Sequence, residues 1–318
     1  MRRNSLLNNM HIIARILGIK AEVTYICHLS GGLTSWGAAK RLRLQAPEAK
    51  VLMLFADTFI ESEDTYRFLI QGAANIAGVP VPACAFLPIP ELDLENPGPR
   101  KEVLKSIARL SMKAIPGLNW IWDGRTPWEV FEDTKFMGNS RVDPCSRILK
   151  RELLDRWAAL HFKPDECVHV VGLNWDEDER IVRLRERSLP RTFIAPLADK
   201  PQMSKLEVQQ WAEAEGLPIS SAYHFGLSHD NCGGGCVKAG QGHFLQLLQY
   251  RPKVYLQWEK QEKAFNERRG KIYSMLRCRR GKQAKPLTLE ALRLRSQSGD
   301  IFEEEKLELG GCACALDV

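Results

Sequence analysis

Apolar residues fall along this chain in short, strand-length runs that alternate with stretches of helical spacing. Val23–Leu29, Val51–Phe55, Val81–Ile89, Val168–Leu173 and Thr192–Leu197 are the apolar runs, and their length and composition predict buried strands. Between them, Ser35 opens a helix carrying Trp36, Ala38, Ala39 and Leu42. Ser62 to Ala77 places Tyr66, Leu69 and Ile70 on one helical face. Lys101 to Ala114 reads as a further helix. Cys145 to Phe162 follows with Ile148, Leu149, Leu153, Leu154, Trp157 and Leu160 in helical register, behind Pro144 at its start. Ser204 to Glu215 starts on a Ser-x-x-Glu capping box ending at Glu207 and is closed by Gly216 and Pro218. Strands alternating with helices predict an α/β domain: a mostly parallel twisted sheet with helices on both faces. Ligands of such sheets bind beyond the carboxyl ends of the strands.

The flanks depart from this rhythm. Residues 1–22 read as an amphipathic leading helix, since Arg15 interrupts the short apolar part and no cleavage site follows. The main domain is expected over 23–225. Within it, residues 90–144 lack regular alternation and contain Trp120, Trp122 and Trp128, which predicts either a lid over the ligand crevice or a surface loop with its own apolar cluster. From 226 to 318 comes a Cys/Gly loop, a helix over Gly240–Tyr250, a charged helix over 253–282 and an acidic tail with cysteines.

The 318 residues carry a formal charge of +6, a mildly basic balance that suits nucleotide or nucleic-acid partners without requiring them. No apolar run reaches membrane-spanning length, so no membrane is expected and a cytoplasmic location is. The nine cysteines are unevenly spread. In a reducing compartment their clustering points to metal or redox chemistry.

The first strand ends in Ser30-Gly31-Gly32-Leu33-Thr34-Ser35 and runs straight into a helix. A small-residue turn at a helix N-terminus is an anion site, because backbone N–H groups approach phosphate closely and the helix dipole favours negative charge. GxxxxGK[ST] is absent, so this is no Walker A loop. The SGGxxS spacing resembles the pyrophosphate loop (PP-loop) of the adenine-nucleotide alpha-hydrolase superfamily. The order of SGGLTS, then Asp57-Thr58 with Glu61, then Pro144-Cys145-Ser146-Arg147, then Gly172-Leu173-Asn174-Trp175-Asp176-Glu177 with Arg180 is similar to its PAPS-reductase-like branch. The likeness spans roughly residues 22–245, and its NCGGGCVKAGQ segment looks like reductase-like proteins carried on phages and mobile elements.

The resemblance implies a Rossmann-like fold and an ATP- and Mg²⁺-dependent enzyme that adenylates an acceptor with release of pyrophosphate. Coupling to sulfur transfer onto a base or nucleic acid, with a cysteine desulfurase or other sulfur donor as partner, is the associated expectation. It also makes Glu177 and Arg180 candidates for orienting phosphates. The C-terminal Glu-Cys-Gly-like motif of true PAPS reductases is missing, so sulfonucleotide reduction is the alternative, and a non-catalytic nucleotide-binding module a third.

On the residues themselves, Ser30, Gly31, Gly32, Thr34 and Ser35 are expected to hold phosphate. Asp57 and Thr58, at a strand end, are candidates for nucleotide or Mg²⁺ contact, with helix capping as the competing role. Gly172 is expected to let the backbone approach the nucleotide. Lys150, Arg147 and Arg180 are candidates for steadying negative charge, or are exposed helix charges. Cys232 and Cys236, linked by three glycines, turn toward a common point; Cys145 is a candidate third ligand and Cys312 or Cys314 a fourth. That set suits a [4Fe–4S] cluster or zinc, the alternative being a glycine turn with thiols. Cys27, Cys84 and Cys167 read as packing residues. His224, His229, His243, Lys238 and Gln241 bracket the cysteine loop as further candidates. Arg268, Arg269, Lys271, Arg277, Arg279, Arg280, Lys282 and Lys285 form a basic stretch that would suit nucleic acid or be a solvated face.

Overall fold

A computed structural model describes residues 23–281 and 283–310. The leading helix, Lys282, Cys312 and Cys314 lie outside the described residues. The core element is an all-parallel five-stranded sheet of order β3-β2-β1-β4-β5, built from β1 (Thr24–Leu29), β2 (Lys50–Asp57), β3 (Leu118–Trp122), β4 (Cys167–Val170) and β5 (Thr192–Ile194). The strand order and the helices around the sheet make this an α/β, Rossmann-like fold.

Alternation along the strands shows why the sheet is covered twice. Cys27, Leu29, Met53 and Phe55 point to one side, into a core shared with α1 (Leu33–Gln45), α2 (Glu63–Ala77) and α3 (Gly98–Ala114) through Trp36, Tyr66 and Leu104. Ile26, Leu54 and Ala56 point to the other, against Leu154 and Ala158 of α5 (Glu152–His161). Here α4 is Pro127–Thr134, and a short turn at Pro144–Ser146 and a π-turn at Arg147–Arg151 lead into α5. The remaining surface helices are α6 (Asp178–Ser188) and α7 (Lys205–Ala214). The Ser204 capping box forms, with Glu207 N–H donating to Ser204 Oγ at 3.2 Å and Ser204 N–H to Glu207 Oε2 at 2.7 Å.

The third strand is not where the apolar pattern put it. Val81–Ile89 forms no strand; it holds a 3₁₀ turn at Ala83–Phe86. Pro80, Pro82, Pro88 and Pro90 punctuate that run and lack the N–H groups a central ladder needs. Residues 90–144 supply the strand instead: Met53 to Asp57 pair in register with Leu118 to Trp122.

After the sheet the chain builds a second core from α8 (Gln241–Tyr250), α9 (Pro252–Arg269), an antiparallel hairpin of β6 (Leu276–Cys278) and β7 (Lys285–Leu287), α10 (Leu289–Gln297) and α11 (Glu303–Leu307). Phe244, Tyr255, Trp258 and Phe265 pack there with Trp128 and Phe131 of α4. The expected charged helix over 253–282 therefore ends early. Gly270, at φ 60°, takes the left-handed conformation that terminates α9. The buried Glu262 carboxylate accepts from Leu289 N–H at 2.6 Å and Met275 N–H at 3.3 Å, joining helix, hairpin and α10.

Candidate active site

β1 lies between β2 and β4. The chain winds outward from β1 to β3, then returns to place β4 on the opposite side, so the switch point of the sheet is the crevice above β1 and β4. The Ser30–Ser35 turn sits there. Gly31 has φ +76°, and a Cβ added to it would lie 2.5 Å from Thr65 Cγ2. Ser35 Oγ accepts from Ser30 N–H at 3.1 Å and Ser30 Oγ at 3.2 Å, and donates to Gly32 C=O at 2.8 Å. Ser35 thus clips the turn closed, while Ser30 and Thr34 stay half-buried at its rim. Gly32 is the N-cap of α1, offers no capping side chain, and no acidic residue follows in the first turn. The N-terminus of α1 thus has no side-chain cap, an arrangement of the kind that suits an anion.

Gly172 serves this turn from across the switch point. A Cβ there would meet Ser35 N at 2.5 Å and Thr34 C at 2.6 Å. Its close approach is to the turn's own backbone, where the sequence reading had it approach the nucleotide. Beyond it, Glu177 accepts from Asn174 N–H at 3.1 Å and pairs with Arg180. These two expected phosphate-orienting residues are engaged with each other at the start of α6.

Asp57 and Glu61 are both buried, each among donors of its own. Asp57 is fully buried and accepts from Phe59 N–H (2.7 Å), Tyr66 Oη (2.7 Å) and Trp120 Nε1 (3.0 Å). Burial pushes its carboxyl up to about 6, outweighing those donors. Both oxygens are engaged and turned inward, so Asp57 does not fit as a magnesium ligand. Glu61, also buried, accepts from Lys150 Nζ at 3.1 Å, Thr58 Oγ1 at 3.3 Å and Cys232 N–H at 2.5 Å. It ties the loop between β2 and α2 to the turn before α5 and to the cysteine loop. Arg147 pairs with Glu152 on the surface.

The three described candidate ligands do converge. Cys145, Cys232 and Cys236 line one cavity of about 10 Å³ with Thr58, Lys150 and Lys238. That volume is about one water, too little for a cluster, and among the described residues no group of three or more His, Cys, Asp or Glu side chains is placed to hold a metal ion. As they stand these residues do not fit a bound metal. The glycines between Cys232 and Cys236 have a packing reason: a Cβ at Gly235 would lie 2.1 Å from the Trp258 indole. Cys27, Cys84 and Cys167 are buried, and burial pushes the Cys27 thiol up to about 12.

The other candidates have structural places. His224 is exposed. His229 stacks on His243 at 4.6 Å, and His243 Nε2 meets Gly234 C=O at 2.8 Å. Gln241 Nε2 reaches Arg277 C=O and Glu308, away from the thiol cavity. Much of the basic stretch is neutralised: Arg268 and Arg269 pair with Glu132, Arg279 with Glu308, and Arg280 with Asp300 and Glu305.

Sequence reasoning missed Asp230 and Ser220, which line a cavity with the Ser30–Ser35 turn, and Arg251, which pairs with Asp230. Gly31, Gly32, Thr65, Ser220, Tyr223 and Asp230 line a single cavity. The available signal was position alone: Asp230 stands two residues before Cys232. No helix among the described residues is long and apolar enough to cross a membrane. A comparison with protein-family models finds no match, and neither does a comparison with curated proteins.

Proposed function

We propose that the chain is an ATP-using enzyme of the pyrophosphate-loop type. The observation that carries this reading is the uncapped N-terminus of α1 behind a glycine turn at the sheet's switch point. The backbone N–H groups of that turn and the dipole of α1 would bind the nucleotide's phosphates, and magnesium would arrive with the nucleotide, keeping water and phosphate as most of its ligands. An acceptor oxygen attacks the α-phosphorus, the bond to the bridging oxygen breaks, and pyrophosphate leaves. A sulfur nucleophile then displaces AMP from the adenylated acceptor.

The thiols around the second cavity support the sulfur half of the reading. Cys145, Cys232 and Cys236 share that cavity with Lys150 and Lys238, so a sulfur-carrying cysteine would lie beside two cationic side chains. A desulfurase-type donor and a base or nucleic-acid acceptor belong to the same proposal. The test is pyrophosphate release and isotope exchange between pyrophosphate and ATP, with candidate bases and RNA as acceptors. Exchange that depends on acceptor supports the reading; intact ATP with every acceptor, together with sulfite release from PAPS and a thiol, would replace it with sulfonucleotide reduction.

A further inference from the structure

A diphosphate does not fit the pyrophosphate turn as it stands. The cavity over Gly31 and Gly32 measures about 10 Å³, about one water. Its far wall is Ser220, Tyr223, Asp230 and Asn231, part of the segment that leads into the cysteine loop. Asp230 is buried, and its carboxylate gathers donors from separate parts of the chain. Ser62 Oγ and Thr65 Oγ1 (3.5 Å) reach it from the start of α2, Ser220 Oγ from its own segment (2.6 Å), and Arg251 Nη1 from the start of α9 (2.5 Å). Hydroxyls and a guanidinium are groups that bind phosphate; here the chain's own carboxylate takes them. The same segment is fastened at two further points ahead of Asp230. Ser221 donates N–H and Oγ to Asp64 at 2.9 and 2.7 Å, and Lys205 Nζ donates to Ser228 C=O at 2.6 Å.

We propose that residues 220–231 are a latch over the pyrophosphate turn, and that Asp230 occupies a phosphate subsite made of Ser62, Thr65 and Arg251. The inference rests on the nucleotide reading above. A phosphate brings more charge and more acceptor oxygens than a carboxylate, so it takes Arg251 and the two hydroxyls and expels Asp230 by like-charge repulsion. The displacement reaches the thiols directly. Cys232 lies two residues further on, buried, with φ 58° and ψ 34°, a left-handed conformation that is strained for a non-glycine residue. It is held there by its N–H bond to Glu61, and Arg251 also reaches Gly233 C=O at 3.5 Å. The Cys232 thiol is therefore covered until a phosphate group arrives.

Inorganic pyrophosphate is the probe, used on the full chain in two measurements: calorimetric affinity, and the rate of N-ethylmaleimide labelling at Cys232 followed by peptide mass mapping. Saturating pyrophosphate is expected to raise the Cys232 labelling rate at least about fivefold, the scale of an ordinary coupling between sites. Asp230→Asn is expected to bind pyrophosphate about tenfold more tightly and to label at the raised rate without it. Ser220→Ala, which removes one hydroxyl from the latch and keeps the charge pair, should accelerate labelling to a smaller extent and carries the test if D230N does not fold. Pyrophosphate that binds the wild type and leaves Cys232 labelling unchanged, or binds D230N more weakly, overturns the latch and leaves the nucleotide reading standing. If neither ATP nor pyrophosphate binds the wild type or the variants, both fall.

Discussion

At the scale of single residues, the decisive contrast is between Asp57 and Gly172. Asp57 ends β2 and Gly172 lies just past β4, and each acts on protein atoms. Burial raises the Asp57 carboxyl from its ordinary 3.8 to about 6, so between those values the folded protein holds a proton that the unfolded chain has lost. Stability contributed by that proton is present below pH 4, falls as pH rises toward 6, and is gone above it, a change of about 3 kcal/mol. Asp57→Asn removes the titration and turns an amide N–H₂ toward Tyr66, Phe59 or Trp120 donors. Urea unfolding of both proteins from pH 4 to 7 should show the wild type losing stability relative to D57N; parallel curves would refute the assignment. Gly172→Ala places a methyl 2.5 Å from the Ser35 nitrogen, where only backbone can yield. A loss of about 1–3 kcal/mol and weaker pyrophosphate binding are expected, and an unchanged melting temperature would contradict the close packing.

The elements show which parts of the sequence could be read. β1, its turn and α1 were legible because three signals agreed there: an apolar run, a small-residue break and helical spacing. The capping box at Ser204 and Glu207 was legible for the same reason. β3 was not. Leu118 to Trp122 is a short run with Asn119 inside it, whereas the longer, more apolar Val81–Ile89 is broken by prolines whose missing N–H groups outweigh its hydrophobicity. The cysteine loop was legible as a convergence of Cys145, Cys232 and Cys236, since a loop with few side chains has few other ways to be buried. Asp230 and Arg251 were not, because the contacts that give them meaning span long sequence separations that no local pattern encodes. The β1–α1 turn yields its own expectation. Ser35 accepts from Ser30 twice and donates once to Gly32, so Ser35→Ala opens the turn without touching the core. Pyrophosphate affinity should fall about tenfold or more, the effect of losing preorganised phosphate donors, while the melting temperature moves little. Equal losses of affinity and stability in S35A would make Ser35 a packing residue only.

At the scale of the whole molecule, a buried ion pair stands where the sheet core meets the cysteine loop. Glu61 belongs to the loop between β2 and α2, Lys150 to the turn before α5, and the Cys232 amide that shares the Glu61 carboxylate to the loop before α8. Both charges are buried, so the pair is costly to break though its net worth beside apolar replacements is small. Glu61→Ala strips the Lys150 ammonium of that carboxylate and leaves the Cys232 N–H without its acceptor; about 3–5 kcal/mol should be lost. Lys150→Ala leaves a buried carboxylate still bound by Thr58 and Cys232, and should cost less. In the double variant both charges go together, and part of the loss returns. A double-mutant cycle by urea unfolding measures this directly, with a coupling of about 1–3 kcal/mol expected for groups in contact. The cycle also reads out the thiols, because Glu61 is what holds Cys232 in its left-handed conformation: labelling of Cys232 should accelerate in E61A and in the double variant but not in K150A. Additive free energies with unchanged labelling would mean that the two cores are joined elsewhere, and that the Ser30–Ser35 turn and the cysteine cavity are neighbours without communication.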